Sequence, residues 1–175
     1  MSNLKKPKAP AGNRPAVRRN ETAIPAHPAH DHIVAEASSA YHVDPQARIE
    51  LIRQGVPASS ISALSARMGI SKETLLASLG LSRATISRKE KNDTPLSKDE
   101  SERVIGVEML IGKVQAMVEQ SGDPAGFDAA RWVAGWLVAP MPALAGATPA
   151  SYMDTFEGQK LLHDLLAMSQ SGVYA

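Results

Sequence analysis

The chain has 175 residues, 43% of them hydrophobic but only 4% aromatic, which suits one domain, or two small ones with a tail, and a core of short aliphatic side chains. The absence of cysteine excludes disulfide stapling, thiolate metal sites, iron–sulfur ligation and a cysteine nucleophile. No apolar run approaches the roughly 20 residues that span a bilayer, and Met1 to Lys6 lead into no apolar segment of a secretory signal, so the sequence reads as a soluble, cytoplasmic protein. The net charge of +1 hides an asymmetry: residues 1–97 hold 14 Lys and Arg against 8 Asp and Glu, and residues 98–175 hold 5 against 10. A basic front and an acidic rear predict two surfaces with different partners, one of them nucleic acid.

Residues 1–42 read as a disordered, basic, proline-rich tail. Pro7, Pro10, Pro15, Pro25 and Pro28 interrupt it, six basic residues precede the first acid at Glu21, and no apolar period appears. Such a segment buries too little surface to offset its ordering entropy. From Pro45 the pattern is helical. Asp44 suits an N-cap with Pro45 at the first helical position, and Gly55 and Pro57 end that helix. A second helix is expected over Ser59 to Met68, then a turn at Gly69-Ile70-Ser71, a short helix with Leu75, Leu76 and Leu79, a turn at Gly80-Leu81-Ser82, and a helix from Arg83 to Lys91. Asn92 to Pro95 is a loop.

Ser97 and Glu100 have capping-box spacing. Val104, Val107, Ile111, Val114 and Val118 then recur at threes and fours, an apolar stripe that serves a core or a dimer seam equally well. Ser121-Gly122 ends it. Asp123-Pro124 is expected to restart a helix carrying Phe127, Val133, Trp136 and Leu137. Pro140, Pro142, Gly146 and Pro149 make an irregular connection. Asp154 and Glu157 are the expected caps of a last helix with Leu161, Leu162, Leu165, Leu166 and Met168, stopped by Gly172. The fold class is all-α.

Two overlapping helix-turn-helix candidates arise, one around Gly69-Ile70-Ser71 and one around Gly80-Leu81-Ser82. The second is favoured because Arg83, Arg88, Lys89 and Lys91 outweigh the lone Lys72. In it small Ala77 and Ala84 allow close approach, Leu76, Leu79, Leu81 and Ile86 fill the wedge, and Ser82 caps the second helix. The DNA-binding candidates are Arg83, Thr85, Ser87, Arg88, Lys89 and Lys91, the N-terminal ones toward base edges and the later bases toward phosphates. That helix lacks Asn and Gln, the usual adenine readers. A plain helical hairpin with a solvated basic face remains the competing interpretation.

In the rear half, the helix holding Trp132 and Trp136 is apolar nearly all round, and the final helix carries a wide leucine stripe. Surface left uncovered there would bind a protein. An enzyme is disfavoured: His27, His30, His32 and His42 lie in or beside the tail, His163 has no acid partner one turn away, and no glycine-rich phosphate loop or nucleophile elbow is present. No metal site or cofactor is expected, since the cluster His27, His30, Asp31 and His32 sits in a tail that is costly to order.

Gly80-Leu81-Ser82-Arg83-Ala84-Thr85-Ile86-Ser87-Arg88, followed by Leu96-Ser97 and Glu100-Ser101, resembles the Xre-like helix-turn-helix of the Xre/MbcA/ParS-type antitoxins. Ala134, Trp136-Leu137, Pro140, Leu144, Gly146, Pro149, Thr155, Gly158, Leu165-Leu166 and Gly172 resemble that family's toxin-binding part. Ala145 departs, standing where a second glycine is often seen. The resemblance covers roughly residues 45–175. It implies a helix-turn-helix domain over 43–97, a linking or dimerisation helix with a toxin-binding domain over 98–175, and a homodimer. It further implies a RES-domain toxin that degrades NAD as partner, and promoter DNA as a second. Trp136, Leu137, Pro140, Leu144, Leu162 and Leu166 would then shape the docking surface or the core beneath it, Val173, Tyr174 and Ala175 would block the toxin's cleft, and Gly172 before them counts among the toxin-binding residues. The alternative is a stand-alone repressor whose rear half only dimerises.

Overall fold

A computed structural model of the chain describes residues 40–122 and 124–170. Residues 1–39 of the expected tail, with its histidine cluster, and Gly172 with the expected blocking end Val173 to Ala175 lie outside the described residues, whereas residues 40–42, expected in the tail, form a turn with Ala40 buried and its carbonyl accepting from Arg48 at 3.0 Å. Among the described residues the fold is all-α: α1 (Pro45–Gln54), α2 (Ser59–Met68), α3 (Lys72–Ser78), α4 (Arg83–Lys91), α5 (Lys98–Ser121), α6 (Ala129–Val138) and α7 (Phe156–Gln170), with short 3-10 turns at Pro142–Leu144 and Pro149–Tyr152. No described helix is long and apolar enough to cross a membrane.

Local signals explain most boundaries. The Asp44 carboxylate accepts the Ala47 backbone N–H, and Pro45 opens α1. Ser71, Ser82 and Ser97 cap α3, α4 and α5 through the N–H of Thr74, Thr85 and Glu100, satisfying donors that a helix start leaves orphaned. The capping box at α5 is complete, since the Glu100 carboxylate accepts the Ser97 N–H at 2.6 Å. Gly55 ends α1 at φ +85°, and a Cβ there would sit 2.4 Å from the Leu96 carbonyl oxygen. That close approach lets Leu96 N–H donate to the Val56 carbonyl at 2.8 Å, clamping the loop after α4 to the end of α1.

The 24-residue α5 is the axis of the molecule. It packs against α1, α6 and α7, and its Val104, Val107, Leu110, Ile111 and Val114 are buried in one continuous core with residues of every other helix. The expected stripe is therefore core along most of its length, while Val118 is half-buried. At the crossing with α7, a Cβ on Gly106 would lie 1.7 Å from Gln159 Oε1. Glycine there lets buried Gln159 reach across and donate to the carbonyls of Arg103 (3.0 Å) and Met153 (2.9 Å).

Three local expectations are corrected. The helix expected to restart at Asp123-Pro124 begins only at Ala129, because Asp128 is the cap, its carboxylate accepting the Arg131 N–H at 3.0 Å. Phe127 precedes that helix, in a turn closed by its own N–H on the Pro124 carbonyl. Thr155, not Asp154, caps α7: its hydroxyl accepts the Gly158 N–H at 3.1 Å. Ala77 and Ala84 are exposed, so the close approach of α3 and α4 rests on the buried Leu76, Leu79, Leu81 and Ile86.

Candidate functional site

The front half presents a helix-turn-helix formed by α3, the Leu79–Ser82 turn and α4. Its turn is held from outside: Arg103 of α5 donates from Nη1 to the carbonyls of Leu79 (3.2 Å) and Gly80 (3.4 Å). These are carbonyls that the end of α3 leaves without helical partners. Ser101, buried one position beyond the capping box, accepts the Val56 N–H at 3.1 Å and ties α5 to the segment leading into α2. The sequence reading had no role for Arg103; its only signal was a position one turn after the capping box.

The basic candidates of α4 fall into three environments. Arg88 and Lys91 are exposed and make no ion pair among the described residues. Arg83 is exposed and pairs at 3.3 Å with Glu73 of α3. Lys89 is largely covered and its ammonium lies 2.5 Å from Glu100, so it braces α4 against the start of α5. Burial pushes the Glu100 carboxyl up, but hydrogen bonds from Lys89 and from Ser97 outweigh it and leave the carboxyl below its ordinary value. Ser87 is exposed and Thr85 half-buried. Lys72, the one base on the second helix of the competing candidate, is held by Glu90, which also accepts the Ser62 hydroxyl.

The rear half has an apolar surface, but not the one the leucines suggested. Leu137, Leu144, Leu162 and Leu166 are at most 6% exposed, so they belong to the core, Leu166 alone also lining a surface groove. Pro140 is exposed and Trp136 half-buried. The large exposed apolar side chains of α6 are Trp132 and Val138, at 43% and 60%. One helical turn apart, Trp132 and Trp136 stack with ring centroids 6.2 Å apart and planes 13° from parallel. They wall a groove of about 350 Å³ with Met117 and Val118 of α5, Phe127, and Leu166 of α7. Trp132 is not among the docking residues expected from the sequence, yet it is the more exposed of the pair, and the part played by α5 depends on the crossing of three helices.

A second depression of about 270 Å³ lies between α1, α5 and α7, floored by Ile52, Ile105 and Met109 and rimmed by Arg48, Glu102, Lys160 and Asp164. His163 borders it with a buried Nε2 that has no hydrogen-bond partner among the described residues. Burial pulls its pKa below the ordinary imidazole value; Lys113 and Arg48 act in the same direction and Asp164 opposes them. Between the halves, Glu108 of α5 is buried and receives both arms of the Arg67 guanidinium, at 2.9 and 3.1 Å. Burial nevertheless holds the Glu108 carboxyl above its ordinary value, with Arg67 pulling it back. Among the described residues no three acid or histidine side chains gather as a metal site.

A helix-turn-helix braced by a long central helix, joined to a small helical unit with exposed aromatics, is the form of a two-surface antitoxin. Residues 47–107 match the antitoxin Xre-like helix-turn-helix domain, and residues 125–172 match the antitoxin Xre/MbcA/ParS C-terminal toxin-binding domain. Neither family is described as catalytic. The chain belongs to the Xre/MbcA/ParS antitoxins. Among its relatives is the Prs ADP-ribosylating antitoxin of Sphingobium sp. (strain YBL2), 41% identical over 135 residues, which are 77% of this chain and 85% of that protein.

Proposed function

We propose that this antitoxin neutralises a RES-domain toxin that consumes NAD, and that α4 binds the promoter of its own operon. The front unit, residues 43–97, serves DNA, and residues 98–175 serve the toxin, with Gly172 leading into Val173, Tyr174 and Ala175, which block the cleft. The relative's name joins antitoxin to ADP-ribosylation, a reaction that takes its ADP-ribose from NAD. On that ground the toxin's reaction is assigned as ADP-ribosyl transfer. Both partners, a dinucleotide-consuming enzyme and promoter DNA, suit a cytoplasmic protein, and a homodimer is proposed as its acting form.

The observation that carries the reading is the separation of surfaces: Arg83, Arg88 and Lys91 are exposed on α4, while Trp132, exposed and stacked on the half-buried Trp136, lies on α6 in the acidic half. An acidic rear also complements a cleft built for an anionic dinucleotide. The test is co-expression. Deleting residues 172–175 is expected to restore toxicity while the purified protein keeps its thermal melt; full protection without them would refute the plug. Replacing Arg83 and Arg88 by alanine is expected to weaken promoter binding and to lower its salt dependence, since each lost phosphate contact releases fewer counterions. A gel shift unchanged by both would remove α4 as the reading helix.

A further inference from the structure

The toxin-binding match begins at residue 125 and the helix-turn-helix match ends at residue 107, so neither takes in the C-terminal half of α5. That stretch nonetheless forms one wall of the groove, through Met117 and Val118, opposite Trp132 and Trp136. The groove's remaining sides come from Phe127 and Leu166, with Ser169 at the end of α7 on its lip. Its lining is mostly apolar, with Ser169 the one polar residue in it, and Trp132 keeps 43% of its surface exposed.

Resting on the toxin-blocking role given above, we propose that this groove is the antitoxin's docking socket for an apolar side chain from the rim of the toxin's cleft, and that Met117 and Val118 of α5 are part of the toxin-binding surface. Two observations name the occupant. The groove is continuous with the toxin-binding unit, which contributes Phe127, Trp132, Trp136 and Leu166. The residues that follow α7 also leave from its lip, at Ser169-Gln170. Five residues reach at most about 17 Å. If residues 171–175 enter the toxin's cleft, the rim of that cleft is brought over the groove. A socket of this volume admits one or two aliphatic or aromatic side chains, and large apolar anchors in desolvated pockets dominate binding free energy.

The experiment uses the full chain and the toxin released from the co-purified complex, with affinity read by calorimetry and folding by thermal melt. Trp132→Ser and, from a different helix, Val118→Gln are each expected to weaken toxin binding by roughly 30-fold or more. Ile49→Ser, also exposed and apolar but on α1, outside both the toxin-binding unit and the groove lining, is expected to leave it within about twofold. Equal losses from Ile49→Ser, or wild-type affinity in Trp132→Ser and Val118→Gln, overturn the socket. So does conversion of a dimer to a monomer by Trp132→Ser with toxin affinity unchanged, which gives the groove to a second copy. Should Trp132→Ser fail to fold, Val118→Gln decides. Failure of the plug is seen separately, as unchanged protection after deletion of residues 172–175, and failure of the whole reading as absence of any toxin in the complex.

Discussion

The pair joining Arg67 of α2 to Glu108 of α5 gives a sharp test of how the DNA-reading half is fastened to the central helix. The Glu108 side chain is 4% exposed and the Arg67 side chain 38%. Replacing Arg67 by alanine leaves a carboxylate buried without its two hydrogen bonds. Breaking a fully buried pair from one side costs about 3–5 kcal/mol. Here water reaches the guanidinium side and the carboxyl can take up a proton, so a loss of about 2 kcal/mol near neutral pH is expected. For a domain of this size that lowers Tm by roughly 5–10 °C. The loss depends on pH with a definite sign. Burial already raises Glu108, and Arg67 opposes it; removing Arg67 raises the folded value further, away from the unfolded one. The variant's deficit therefore opens as pH rises through the window between the two folded values, and it shrinks toward acid pH, where Glu108 is protonated with or without Arg67. Urea titrations of Arg67→Ala at about pH 5 and about pH 7.5 measure this, and Glu108→Gln added to Arg67→Ala should recover part of the loss. An equal loss at both pH values, with no recovery from the second change, would refute the assignment of Glu108 as a buried carboxyl whose ionised form Arg67 favours.

Three further outcomes follow from particular side chains. Leu162→Ala opens a cavity at a wholly buried position on α7 and should cost about 2–5 kcal/mol in a denaturant melt. His163, held below its ordinary value chiefly by burial, adds stability that is complete above the ordinary imidazole pKa and declines as pH falls from there through the lower folded value; His163→Gln should flatten that part of the stability–pH curve. Arg88→Gln should reduce the salt slope of DNA binding by about one unit with little change in Tm, whereas Lys89→Gln, which loses the contact to Glu100, should lower Tm more than it changes the slope.

Much of the helical order was legible because it is written in local chemistry. α1 to α5 begin and end within a residue or two of where the capping serines, Asp44, Pro45 and the terminal glycines indicate. The same local logic misplaced the starts of α6 and α7, where several candidate caps stand close together: Asp123 and Asp128 for one, Asp154 and Thr155 for the other. Choosing among them depends on which register buries Val133 and Leu137, or Leu162 and Leu166, and that is a tertiary matter. The surfaces were less legible than the helices. Charge alone put Lys89 with Arg88, and only packing separates a brace from an exposed cation. The resemblance puts Leu162 with Trp136 in the docking surface or the core beneath it, and only helix crossing separates the two.

The long helix α5 gives the two halves a common frame, and this limits how they can influence each other. At its N-terminal end Lys89, Val56 and the turn carbonyls of Leu79 and Gly80 are tied to Glu100, Ser101 and Arg103. Met117 and Val118 sit near its other end, about 20 Å further along at 1.5 Å per residue. The helix is unbroken between them and is packed in a core continuous with both halves. Coupling between distant sites requires an element with two arrangements that both sites bias, and an unbroken helix buried along one face from Ser101 to Val114 offers none. Toxin and DNA should therefore bind the same antitoxin with affinities independent of one another, apart from charge and steric effects of the toxin itself. Accordingly Trp132→Ser, which removes a groove wall, should leave the free antitoxin's affinity for promoter DNA within about twofold, since effects at well-separated sites are additive. A large change in DNA affinity from that single substitution, with the melt intact, would mean that α5 transmits a shift this packing does not contain.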